Sequence, residues 1–148
     1  MIYQPVKQVF DFVSQPENDF QWQYGTLASA RLSENIDNRL GTFFRSLGHL
    51  LGRRNLSTFE VVDYELNKKY GFKSLSGPFY SQTTYTFTTE NGGTRINISI
   101  RAHVVNFHQV SERSMEKLIK EQLTENLALL KKLLETNVAN RETYPLAA

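Results

Sequence analysis

At 148 residues, with 40% hydrophobic and 22% charged residues, the chain is long enough for one domain with a real core. A net charge of +2 argues against a nucleic-acid partner. Zero cysteines exclude disulfides, thiolate metal sites and a cysteine nucleophile together.

The pairs Arg53-Arg54, Lys68-Lys69 and Lys131-Lys132 are the longest basic runs, and they read as solvated turns or helix faces. No stretch reaches the ~20 apolar residues of a membrane span, so no integral membrane association is expected. No basic region followed by an apolar block opens the chain, so no secretory signal is expected and a cytoplasmic location fits. The unusual feature is the aromatic content of 12%, with ten Phe and seven Tyr, many of them on strand-like segments.

A helix over residues 5–13 is predicted first. Pro5 suits an opening helical turn, where its missing N–H has no partner to lose. Val6, Val9, Phe10 and Val13 then recur at helical spacing, and Pro16 stops the run. Residues 17–23 hold Trp22 and read as a turn or a short second helix. Strands are predicted at 27–32, 42–51, 56–66, 70–76 and 79–89. The turns between them are Asn35-Ile36-Asp37-Asn38, Gly52 to Asn55, Asn67-Lys68-Lys69 and Gly77-Pro78. Asn91-Gly92-Gly93 is a strong hairpin signal. In the last strand Ile96, Ile98, Ile100, Ala102 and Val104 face one way. Arg95, Asn97, Ser99, Arg101 and His103 face the other, which describes a sheet with one dry and one wet face.

A long amphipathic helix is predicted over 112–135, with Ser111 as its N-cap. Met115, Leu118, Ile119, Gln122, Asn126, Leu129, Leu130 and Leu133 form its stripe. Gln122 and Asn126 sit in that stripe either at its solvent edge or facing a wet or ligand-filled cavity. Residues 137–148 lack periodicity and are expected to form a loose tail behind a single domain at 1–136.

The order of these blocks predicts the architecture, an α+β fold. One helix cannot cover six or seven consecutive antiparallel strands unless the sheet curls around it, and a curled sheet gripping a helix tends to enclose a cavity. Phe44, if it points inward, carries Ser46 and Gly48 on its face, and those small residues leave room. Phe72, Tyr85 and Phe87 join the apolar face with Ile98 and Ile100. Together with Trp22, and with Met115, Ile119, Gln122 and Asn126 from the helix, they are the candidate ligand contacts. Aromatic walls with sparse polar groups suit a small apolar ligand, and they also suit plain core packing. Tyr85 is the candidate polar contact inside, and Gly77-Pro78-Phe79-Tyr80 the candidate gate.

No catalytic residue stands out. His49, His103 and His108 show no metal-ligand spacing and read as surface or rim histidines, so no metal or cofactor is expected. No serine lies in a Gly-x-Ser-x-Gly elbow. Glu60 and Asp63 sit on a strand whose alternation around Val61-Val62 is ambiguous, and exposure is the simpler reading of both.

The run from Pro5 to Val13 with Val9-Phe10, then Pro16-Glu17-Asn18 and Trp22, resembles the opening of the START-related superfamily. That group includes polyketide cyclase/dehydrase-like proteins and the major birch pollen allergen. Gly41-Thr42 with Phe44, Gly77-Pro78, Tyr85 and Phe87, Gly92-Gly93-Thr94 and the closing helix with Asn126-Leu127 follow in the same order. The resemblance implies a helix-grip fold with two short helices after the first strand. It implies binding of a hydrophobic small molecule or lipid between sheet and helix. A polyketide cyclase- or dehydratase-like activity in the same cavity, or a protein-interaction module without a ligand, are the alternatives. One departure stands out: only Met1 to Gln4 precede Pro5, where the family usually has a full strand. Either the native chain starts upstream or the open sheet edge pairs two copies as a homodimer.

Overall fold

The computed structural model describes residues 1–23, 25–32, 40–50, 53–76, 79–104 and 112–143, the side chains at 50, 53, 79, 102–104, 112, 113, 115 and 137–143 apart. The Asn35 to Asn38 turn, Gly77-Pro78, the Ser111 cap, His108, and the side chains of His103 and Met115 lie outside the described residues.

Helix α1 spans Val6–Val13 and buries Val9, Phe10 and Val13 at the spacing the sequence shows. Pro5 is its N-cap, and the Pro5 carbonyl accepts from the amides of Gln8 and Val9. At the other end the Asn18 side-chain amide donates to the Phe12 carbonyl (3.1 Å), satisfying an acceptor the helix leaves over. A 3₁₀ turn, Pro16–Gln21, follows and delivers Trp22 into the interior at 1% exposure.

Six strands come next: β1 (Thr26–Arg31), β2 (Phe43–Leu50), β3 (Arg53–Glu65), β4 (Lys69–Ser76), β5 (Phe79–Glu90) and β6 (Gly93–Val104). They form one antiparallel meander in sequence order. The long helix α2, Glu112–Thr143, closes the chain. Asn91 and Gly92 both take positive φ (50° and 78°), which is the backbone of the tight hairpin joining β5 to β6. The register shifts between Thr26 and Ala28, between Thr58 and Phe59, and between Val61 and Asp63. Such bulges bend strands, and here the sheet curls into a half-barrel around the helix, the helix-grip fold.

One turn was misplaced by the sequence reading. Arg53, Arg54 and Asn55 are not turn residues; they pair with Leu50, His49 and Gly48. Polar side chains imitate turn chemistry, but here the ladder takes up the backbone groups, and β3 reaches 13 residues.

The core lies between α1, the concave face of the sheet and the C-terminal half of α2. Phe10 meets Tyr64 and Phe87 edge-on at 5.4 and 5.2 Å. Phe44, Phe59 and Phe72 form a second cluster. Leu130 and Leu134 are buried against this core, while Leu118, Ile119 and Leu123, nearer the start of α2, are half-buried.

Met1 to Gln4 form no strand. Ile2 makes a single antiparallel bridge to Thr94, with amide-to-carbonyl distances of 2.8 and 2.7 Å. The buried Thr94 hydroxyl donates to the Gln4 carbonyl (2.7 Å).

Candidate functional site

The alternation of β2 and β3 decides what faces the helix. Phe44 is buried, so Ser46 and Gly48, two and four residues on, share its concave face. Asn55, Ser57 and Phe59 do the same on β3. Across from them α2 presents Gln122 and Asn126, one turn apart. Between these surfaces lies a cleft of about 200 Å³, lined by Gln23, Gly25 and Thr26 as well as by these residues and His49. A broader groove of about 750 Å³ lies elsewhere, among Pro5, Lys7, Gln8, Asp11, Gln15 and Leu134 on the outside of α1, away from the concave face.

The lining of the inner cleft is mostly uncharged and polar. Gln23, Asn55, Gln122 and Asn126 bring four carboxamides, and Thr26, Ser46 and Ser57 bring hydroxyls. The Ser46 and Ser29 hydroxyls hydrogen-bond at 3.0 Å, and the Thr26 hydroxyl donates to the Gln23 side-chain oxygen at 3.4 Å. Phe59 is the one aromatic wall of this lining, backed by a ring stack with Phe44 at 5.0 Å. Gly25 is needed for a close approach: a Cβ there would stand 2.8 Å from Gln122 Nε2.

The sequence-derived candidates separate into two groups. Gln122 and Asn126 line the cleft, and the Asn126 side chain is only 6% exposed, so the interior alternative holds for this residue rather than the solvent edge. Phe44, Phe72, Tyr85, Phe87 and Trp22 pack among themselves and their neighbours behind it. Trp22 meets Tyr85 edge-on at 6.2 Å, Phe44 meets Phe72 at 5.3 Å, and Phe87 meets Phe10. Ile98 and Ile100 are half-buried on β6, opposite Tyr85 and Thr83. Ile119 is half-buried one turn before Gln122.

Glu60 and Asp63 turn outward. Glu60 meets Lys73 at 3.8 Å and Asp63 meets Lys69 at 3.7 Å, in partly exposed pairs. Among the described residues the buried acid is Asp19, 8% exposed, which is not one of the candidates drawn from the sequence. Burial pushes its carboxyl well above the usual carboxylate range, and the Glu17 charge adds to the effect. Its charge also bears on two buried phenols. Tyr70 and Tyr85 stack at 6.3 Å, and burial, then Asp19, pushes both phenols up. The available signal was weak: an acid three residues after Pro16 and three before the only tryptophan.

A sheet that grips a helix is also what comparison with known proteins finds. A family model described as "Polyketide cyclase / dehydrase and lipid transport" matches residues 2–135. The chain belongs to this family. Among solved structures, a START superfamily protein from Mycobacterium smegmatis superposes with a TM-score of 0.76 at 16% identity, covering 91% of this chain and 92% of that one. A Thermus thermophilus protein, TTHA0849, gives 0.71 at 19% identity, covering 94% and 92%. Ara h 8.0201 gives 0.68 at 11% identity, covering 91% and 93%. These likenesses establish the shared fold. A search of curated proteins finds no match. Among the described residues of this family member, no helix is long and apolar enough to cross a membrane, and no cluster of three or more His, Asp or Glu is placed to hold a metal ion.

Proposed function

We propose that the protein binds a hydrophobic small molecule or one end of a lipid between the sheet and α2. The observation that carries this reading is the inner cleft, which keeps Phe59 and two glycines beside four carboxamides. A core packed for stability alone has little use for buried and half-buried carboxamides facing one another across a gap. A ligand site needs them for orientation. At about 200 Å³ the cleft is smaller than the ~300–1,000 Å³ of drug-sized pockets, so it suits a small body of one or two fused rings or the end of a longer molecule. Apolar burial of the ligand contributes about 25 cal/mol per Å² before the cost of association.

A second reading, a cyclase- or dehydratase-like enzyme, rests on Asp19. A carboxyl whose proton burial holds more tightly is suited to act as a general acid, and buried phenols are suited to donate hydrogen bonds. Asp19 does not line the cleft, so binding is the better supported function.

Native mass spectrometry of freshly purified protein, followed by denaturing extraction, tests the first reading. A co-purified apolar compound that leaves on denaturation is the expected result. Clean apo protein that also fails to bind any member of a small-ring ligand panel would overturn it. The same spectrum reports whether a homodimer forms.

A further inference from the structure

We infer that the inner cleft selects an uncharged ligand: the oxygen-bearing end of a small planar molecule, held by Gln23, Asn55, Gln122 and Asn126 and excluded if it carries a carboxylate or phosphate. This inference rests on the reading that the cleft holds a small molecule.

Three observations converge on it. The first is the chemistry of the lining: among its described residues there are four carboxamides and three hydroxyls but no Lys, Arg, Asp or Glu, and its one histidine, His49, is exposed and lies one step from the concave Gly48. Each carboxamide offers both a donor and an acceptor, so the set pairs equally with hydroxyl and carbonyl groups. The second is burial. Asn126 is only 6% exposed, so a ligand group reaching it leaves most of its water behind. A neutral hydroxyl regains its hydrogen bonds from the amides. An anion loses hydration that no Lys or Arg of the lining repays. The third is shape. Gly25 and Gly48 leave the backbone bare, and Phe59 stands flat against Phe44 with 19° between the rings. A planar ring can lie on such a wall, while Gln122 on α2 reaches its edge from the other side.

The cations nearest in sequence do not fill this role. Arg45 and Arg54 lie at odd steps from Ser46 and Asn55, on the convex face of the sheet. Arg31 is engaged by Glu17 at 3.2 Å.

The test uses two probes with the same body, 2-naphthol and 2-naphthoate, titrated at pH 7 into the full isotope-labelled chain. Side-chain amide signals of Gln122 and Asn126 report where each probe sits. We expect 2-naphthol to move both signals and to bind about tenfold or more tighter than 2-naphthoate. Gln122→Lys places a cation at the half-buried edge of the cleft and is expected to reverse that preference. Gln23→Lys is the second variant should Gln122→Lys fold poorly. Naphthoate binding as well as naphthol to the wild-type cleft would overturn the charge selection and leave the binding reading standing. Saturation by neither probe would overturn the binding reading and this inference with it. Shifts confined to the outer groove near Asp11 and Gln15 would overturn the placement.

Discussion

The side-chain amide of Gln122 occupies the space that a β-carbon on Gly25 would need, with Nε2 2.8 Å from that position. Helix and sheet therefore meet at a carboxamide and a bare backbone, at the lip of the inner cleft. Gly25→Ala should not greatly destabilise the fold, because the atom it meets is the far end of a flexible side chain. A loss of about 1 kcal/mol or less is expected. The Gln122 amide should nevertheless swing out, visible as a large change in its side-chain NMR signal and as weakened 2-naphthol binding. Pairing Gly25→Ala with Gln122→Ala should give clearly non-additive effects on binding. Additivity would mean that the two residues are not in contact.

Burial raises the Asp19 carboxyl in the folded chain, so the folded state holds that proton more tightly than the unfolded state. Its stabilising contribution is fully present below the ordinary carboxylate value of about 4 and is lost as pH rises through the folded value. Asp19→Asn removes this titration. It should flatten the fall in stability above about pH 4 and make the protein more stable than wild type near neutrality. Urea unfolding across pH measures it, and unchanged curves would show that Asp19 is solvated.

Glu60→Gln and Asp63→Asn each break a partly exposed pair with a lysine on the convex face. Each should change stability by about 0.5 kcal/mol or less at neutral pH and leave binding of any cleft probe unaltered. Loss of binding in either variant would place that acid in the site after all.

Thr94 anchors the N-terminal segment through its backbone bridge to Ile2 and its hydroxyl bond to the Gln4 carbonyl. Thr94→Val keeps the shape and the bridge but strands the carbonyl. A loss of about 1–3 kcal/mol is expected, with faster hydrogen exchange at the Ile2 amide. Unchanged exchange would mean that the segment is held by packing alone.

Much of this molecule can be read locally. The α1 face of Val9, Phe10 and Val13, the Asn91-Gly92 hairpin and the alternation of Ile96, Ile98 and Ile100 against Arg95, Asn97 and Ser99 follow from periods of 3.6 and 2 and from turn chemistry. These are properties of neighbours in sequence. So is the pairing of β5 with β6, because strands joined by a tight turn pair with each other. The extent of β3 was not legible, since Arg53 to Asn55 look like a turn until the ladder with β2 is counted.

Which side chains meet across the interior was decided only by the tertiary structure. The direction of Glu60 and Asp63 depends on where a bulge falls between Val61 and Asp63, and a one-residue shift reverses a strand's faces. Asp19 acts electrostatically on the buried phenols of Tyr70 and Tyr85, which stand on strands far along the chain. Gln122 and Asn126 were visible as polar breaks in an apolar stripe, but the stripe cannot say what stands opposite. That required the sheet to curl and to bring Gly25, Ser46 and Asn55 to the helix. The sequence determined the order of the elements and the buried faces of α1 and β6, because those depend on short-range periodicity. The contents of the cleft were left to the long-range packing of helix on sheet, because that packing alone sets distances between residues remote in the chain.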